Sequence, residues 1–407
     1  MRRHLPGLAQ IANLSIANKL GLMLIVLTVP IGALLFVQFQ DRQAATSQAS
    51  SESRGLDYVS AVMPFMREVQ LHRGLVERVL NGDESARANM DRTGTAADTA
   101  LAGIVDADKK WGGDFKTHEL VAFLNSEWPK ARDARASTSE SNALHNSVVQ
   151  QGVFPLISNV ATESKLVLDP DLDNRNVIVA LTETLPRLTE ALSQLRGAGT
   201  GALVGRKNLP ATDDTKQYLS GQWNLAQFQS DQLARQLETA MAENSRFETD
   251  LRPIVTRSNT SRTVFMDNTR DSVMNAALLS PTGAEGYFLL GGSAIDLSNQ
   301  LLTSAQQALQ ADFDDRASAA RNDFALYGGA GGIGVILALG LAVFISATIT
   351  KPMTHLAEVA DRMSLGELDV EIDVEGTNEI GRLAESLRRM QSSLRSAIER
   401  LRQRRAA

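Results

Sequence analysis

Residues 324–350 read FALYGGAGGIGVILALGLAVFISATIT, and residues 351–383 continue as KPMTHLAEVADRMSLGELDVEIDVEGTNEIGRL. The first stretch has no charge between Asp323 and Lys351. It exceeds the roughly 20 apolar residues that a bilayer-spanning helix needs. The second stretch opens with Pro352, which is tolerated in the first turn of a new helix. From there Leu356, Val359 and Met363 recur in steps of three and four, the period of a packed helical seam. Leu365-Gly366 then closes the helix, glycine being suited to a C-terminal cap. Leu368, Val370, Ile372 and Val374 alternate with acids, which reads as an extended segment. A second seam runs through Ile380, Leu383, Leu387, Met390, Leu394, Ile398 and Leu401. The expectation is a membrane helix followed by two short heptad helices joined by an extended connector.

Working outward, residues 20–39 form another uncharged run, between Lys19 and Asp41. It is longer than the roughly 7–15 residues of a signal-peptide core, so it reads as an uncleaved anchor. Arg2, Arg3 and Lys19 precede it without an acid, and the tail after Lys351 is rich in arginine. By the positive-inside rule both ends are cytoplasmic and residues 40–323 lie outside. The expected plan is residues 1–19 inside, a span at 20–39, an external domain at 40–323, a span at 324–350, a relay at 351–401 and a tail at 402–407. In the second span Gly328, Gly332 and Gly340 share a stripe on which a neighbouring helix could approach closely.

Two short heptad helices around an apolar-studded connector resemble a HAMP domain. The residues that carry the resemblance are Pro352, Gly366-Glu367-Leu368 and Asn378-Glu379-Ile380-Gly381-Arg382-Leu383. The resemblance implies a parallel four-helix coiled coil formed by two chains, with Leu383 and Leu387 in its core. Asn378 stands where the family often has Asp, and Glu379, the acid assigned to the joint with the first helix, is present.

The external region contains a repeat. Val69–Gly82 and Leu192–Gly205 share Arg-Gly (Arg73-Gly74, Arg196-Gly197), a later leucine and a final glycine at one offset. Each lies on a helical pattern preceded by a proline and followed by a polar helix, from Asp83 and from Asp213. This predicts two helical modules, about 40–168 and 173–323, joined at Leu168-Asp169-Pro170-Asp171-Leu172-Asp173. The acids there do not make a calcium loop, because Asn174 and Ala180 stand where Gly and Glu are required. They read as caps and turn formers. The region resembles the helical input domains of bacterial chemoreceptors, of the nitrate- and nitrite-sensing type, which implies stacked four-helix bundles. It does so on Gly55-Leu56-Asp57-Tyr58, Leu71-His72-Arg73-Gly74, the junction above and Gln194-Leu195-Arg196-Gly197.

The planar forks of Arg73 and Arg196 match a planar oxyanion. If the two met across a bundle face, with His72 as a further donor, they would form a small-oxyanion site. The alternative is that each arginine is solvated or pairs with Glu68 or Glu190. Arg78, Arg206 and Lys207 read as surface groups.

Composition excludes other classes. The 407 residues include no cysteine, 5% aromatics and a net charge of -6. Long packed helices fit this composition, and nucleic-acid binding does not. Five scattered histidines form no metal motif and no catalytic constellation is present, so neither an enzyme nor a cofactor or metal is expected. The reading is an all-α, multi-pass subunit of the cell inner membrane. As a homodimer it would pass an external stimulus to a cytoplasmic signalling partner or full-length receptor. Two other readings stand beside it: the input half of a kinase or cyclase whose output is a separate chain, and a dimerising membrane scaffold.

Overall fold

The computed structural model describes residues 16–206, 208–280 and 283–406. Arg2 and Arg3 of the orientation argument, and Lys207, lie outside them. The described residues are helical, with no strand among them. They fall into two units, Ala44–Ala319 and the remainder, taken separately below.

The unit Ala44–Ala319 draws on α1 (Ile16–Leu80), α2 (Arg87–Phe115), α3 (His118–Asp133), α4 (Thr138–Ser147), α5 (Phe154–Glu163), α6 (Leu172–Val179), α7 (Leu185–Gly205), α8 (Asp213–Glu243), α9 (Ser245–Thr269) and α10 (Ala284–Ile345). Two large apolar cores run through it, with a smaller one around Leu75, Val79, Met90 and Phe288. One of the two gathers Tyr58, Phe65, Ile104, Trp128 and Leu156 from the first five helices. The other gathers Leu188, Leu237, Phe247, Phe265 and Phe313 from the last five. Single π-helical turns, Val148–Val153 and Ala180–Thr184, join α4 to α5 and α6 to α7. Each precedes a proline, Pro155 or Pro186, whose missing N–H leaves the helix one donor short, and a wider turn absorbs the fault.

The breaks fall where the acids and hydroxyls do. Asp83 caps the turn before α2 through Ser85 N, and Thr212 caps α8 through Thr215 N. At the junction Asp169 Oδ1 accepts from Asp171 N at 2.9 Å, an Asx turn. Buried Asp169 also pairs with Arg316 of α10 at 2.7 Å, which the sequence reading did not foresee.

The two bundles lie side by side, with α1 contributing to both cores. Helix α1 runs parallel to α7 and antiparallel to α10. It meets α10 through Ser53 and Gln310, Arg67 and Asp296, and Arg78 and Glu285. The reason is the glycine content of the repeat. A Cβ on Gly197 would lie 3.1 Å from Glu77 Oε2 and 3.8 Å from Gly74 Cα. One on Gly201 would lie 2.8 Å from Glu77 Oε1, and one on Gly205 2.8 Å from Asn81 Oδ1. Glycine every fourth residue thus makes a groove on α7 in which the polar edge of α1 lies.

Outside this unit, α10 is long and apolar enough to cross a membrane. Its outer residues, among them Leu326, Ile336, Leu337, Val343 and Phe344, are exposed. The first expected span, 20–39, is helical, but its described apolar run, Thr28–Gln40, is shorter than a bilayer needs. A π turn, Ser346–Thr350, leads from α10 to α11 (Lys351–Ser364), and α12 covers Glu379–Ala406.

The groove gives a direct test. Gly201→Val places two methyls where Glu77 lies, and overpacking of this kind costs about 1–3 kcal/mol. Gly103, on an exposed face with open space around it, is the control, since Gly103→Ala should be neutral or stabilise by up to about 1 kcal/mol. Chemical unfolding of the full chain in detergent, followed by circular dichroism, should separate the two. Equal effects would remove the groove argument.

Candidate functional site

The two Arg-Gly repeats meet. At a spacing of 123 residues Ser193 Oγ donates to Gln70 O, so equivalent positions of the repeats lie abreast. Both arginines are buried, Arg73 at 2% and Arg196 at 3% exposure. Each reaches one turn back across the seam, to opposite effect.

Arg73 uses both of its terminal nitrogens. Its Nη1 donates to Glu190 Oε1 at 2.7 Å and Asn146 Oδ1 at 2.8 Å. Its Nη2 donates to Glu190 Oε2 at 3.2 Å and Ser193 Oγ at 3.0 Å. Glu190 also accepts from Gln70 at 3.0 Å and from Gln194 at 2.7 Å. Burial by itself raises the carboxyl of Glu190, but Arg73 and these hydrogen bonds outweigh it and hold the group below its usual range. Of the alternatives open in the sequence, an oxyanion, solvent, Glu68 or Glu190, Glu190 is the partner that Arg73 has here.

Arg196 has no such acid. Its Nη2 donates to Gln70 O at 3.2 Å, and its guanidinium carbon lies 4.8 Å from the centre of the Phe288 ring. Its Nε is buried without a partner. Burial, and next the charge of Arg73, pull it down to about 10, still cationic at neutral pH. It borders a cavity of about 550 Å³ together with Arg67, Leu71, Phe288, Ser293 and Asp296. Gly74 and Gly292 leave room beside the guanidinium, and Gly291 beside the Cβ and Cγ of the same side chain.

His72 lies apart from that cavity. It stacks on His145 at 5.2 Å and meets Trp128 edge-on. His145 Nδ1 faces Ser141 O at 2.7 Å and must donate there, so its Nε2 accepts from His72 Nδ1 at 2.9 Å. His72 Nε2 is then a buried acceptor without a partner. Burial first, then the charges of Arg135 and Arg132, push His72 down to about 3, and burial pushes His145 well down. Both rings are neutral. Arg78, expected at the surface, is buried, pairs with Asp83 and Glu285 and lies over Phe288. Among the described residues no group of three metal-ligating side chains occurs.

The relay has its own geometry. Pro352 is in the first turn of α11, whose Leu356, Val359 and Met363 are buried with Ile372, Val374 and Ala384. Gly366 has φ 94°, a conformation that disfavours a side chain. Glu367 N bonds Arg362 O at 3.0 Å, the Schellman closure. Asn378 Oδ1 caps α12 through Gly381 N at 3.0 Å, so Asn serves in place of Asp. A Cβ on Gly381 would strike the Gly376 carbonyl. The extended connector lacks a helical donor for its carbonyls, and α12 supplies them. Arg388 donates to Val374 O at 2.6 Å, and Gln391 donates to Val370 O at 2.6 Å and Leu368 O at 3.1 Å. Sequence reasoning missed these two residues. Their position on α12, one turn apart opposite the connector, was the available signal. Leu368, Ile380 and Leu387 are half-buried, and Glu379 is exposed. Leu383, Met390, Leu394 and Leu401 are exposed.

Two outcomes are expected. Glu190→Leu strands the Arg73 charge and should cost about 3–5 kcal/mol, whereas Glu190→Leu with Arg73→Met should restore much of that in chemical unfolding. The buried histidines bind no proton when folded but do so when unfolded, below about pH 6.5. Their contribution is therefore unfavourable as pH falls, by about 1.4 kcal/mol per unit for each histidine until the folded value is reached. Unfolding temperatures from pH 7 to 5 should fall less steeply for His72→Phe with His145→Leu than for the unaltered chain.

Residues 344–396 match the HAMP domain family. Similar curated proteins include one of Acetivibrio thermocellus named as a sensory transducer, 44% identical over 63 residues, 16% of this chain and 11% of that protein. Methyl-accepting chemotaxis protein I of Escherichia coli is 41% identical over 66 residues, 16% of this chain and 12% of that protein. Methyl-accepting chemotaxis protein TlpB of Bacillus subtilis is 36% identical over 66 residues, 16% and 10% respectively. The chain thus spans about a tenth of the length of the curated relatives it matches. No solved structure matches it. The chain carries a HAMP domain, and the curated proteins it is similar to are named as a sensory transducer and as methyl-accepting chemotaxis proteins.

Proposed function

We propose that this chain is a transmembrane sensor subunit: residues 40–323 take up an external stimulus, and the HAMP domain hands it to a cytoplasmic partner. The observation that carries the reading is the order of parts on one chain. A helical bundle unit, Ala44–Ala319, shares α10 with an exposed apolar segment of spanning length, and the HAMP domain follows. Both termini are assigned to the cytoplasm from the basic residues at each end, with residues 20–39 as the first span. The ligand is a small oxyanion. Its binding role belongs to Arg196, with Arg73 buried beside it in its pair with Glu190; His72, read with them from the sequence, has no part in it, since it packs on His145 and Trp128. Catalysis has no part in the proposal.

The functional unit is a parallel homodimer. In one chain the seam of α12 is half-buried near its start and exposed at Leu383, Met390, Leu394 and Leu401. A second copy covers such a seam in a coiled coil. The output partner, by analogy with the relatives, is a chemotaxis receptor or signalling protein. The chain has no cysteine, so Leu394→Cys gives a single clean reporter. Oxidation in membranes should yield a disulfide-linked dimer, and Leu387→Asp should suppress it, because a charge in that core is unpaired among apolar groups. Reporter fusions after Arg400 and at Ser139 should show the two sites on opposite sides of the membrane. Monomer only, or both sites on one side, would sink the proposal.

A further inference from the structure

The two repeats are abreast, but their chemistry is not equivalent. The offset that sets Gln70 beside Ser193 also carries Arg73 onto Arg196. Applied to Glu190, the acid that neutralises Arg73, it lands on Arg67. Arg196 therefore has an arginine at the position where Arg73 has its carboxylate. Arg67 and Arg196 both border the 550 Å³ cavity, which is of small-ligand size. Arg67 is half-exposed, and its acid contacts, Asp296 and Glu68, are long, at 3.9 and 3.8 Å. Arg196 has a buried, unpartnered Nε. The other walls are largely apolar: Leu71, Phe288, Leu289, Ile295 and Leu297, with Ser293 and Gln300 as neutral polar groups.

We propose that the cavity between α1, α7 and α10 binds a small organic carboxylate, whose carboxyl lies between Arg67 and Arg196 in the role Glu190 has toward Arg73, and whose apolar body lies against Leu71 and Phe288. This deepens the sensor reading, since it rests on Ala44–Ala319 being the input domain, and it names the ligand class. A bare inorganic oxyanion would satisfy the arginines and leave the apolar walls uncovered. A carboxylate with a short hydrocarbon or aromatic body answers both, and burying that body adds the area-dependent hydrophobic contribution. Asp296 also faces the cavity, and its charge opposes a second carboxyl, so the ligand is a monocarboxylate.

The test uses the full chain in nanodiscs and isothermal calorimetry with benzoate, its neutral isostere benzamide, acetate and sodium nitrate. Benzoate should bind more tightly than acetate or nitrate, and benzamide should be at least tenfold weaker, because it brings no charge to the arginines. Arg67→Glu supplies the missing repeat partner from within. It should abolish benzoate binding at least tenfold and raise the unfolding temperature, since Arg196 then gains what Arg73 already has. Arg196→Met should abolish binding without the loss of stability seen when Glu190 is removed, because no buried acid is orphaned. No benzoate or acetate binding by a folded helical sample overturns the proposal. So does unchanged benzoate binding in Arg67→Glu, or nitrate binding tighter than benzoate. The dimer and topology measurements are independent of these titrations, so failure here is distinguishable from failure of the sensor reading.

Discussion

The unit Ala44–Ala319 depends on how closely α1 and α7 approach. Two helices with ordinary side chains at the contact lie 8–10 Å apart. Here Gly74 faces Gly197, and Gly201 and Gly205 take the side chains of Glu77 and Asn81. Buried polar groups in so close a seam are hydrogen-bonded as a rule. Glu190, Gln70, Asn146, Ser193 and Gln194 are there for that reason. Arg73 and Glu190 form a pair whose desolvation is offset by the bonds that both Nη atoms and both carboxylate oxygens make.

The same seam explains why one repeat looks complete and the other open. Duplicated segments set side by side present equivalent positions to each other. A substitution in one copy is then felt at the site of the other. Arg67 where Glu190 has its counterpart leaves Arg196 a buried cation with one carbonyl and one aromatic face. Protein interiors rarely contain such a charge unless something outside the chain completes it.

The HAMP segment solves a different problem. An extended connector beside two helices has backbone carbonyls that no ladder satisfies. Arg388 and Gln391 reach them from α12, while Ile372 and Val374 lie against the helices. These contacts fix the register of the connector within one chain. The outer seam of α12, with Leu383, Met390, Leu394 and Leu401, takes no part in these contacts and is exposed.

The heptads from Pro352 to Leu401, the cap at Gly366, the connector between them and the apolar run at 324–350 were all legible in the sequence. Each depends on neighbours within a few residues, and local spacing encodes them directly. The Arg-Gly repeat was legible too, as was the choice of partners for Arg73, though not its resolution in favour of Glu190. That resolution needs two helices 120 residues apart in sequence to be in contact. The side-by-side bundles, burial of Arg78, the His72–His145 pair and the ion pair of Asp169 with Arg316 are of the same kind. Charge and periodicity say that a helix has a polar edge, but only the tertiary structure decides whether that edge meets water or another helix. At Arg73 and Arg196 that decision turns two identical dipeptides into a closed ion pair and an open cation.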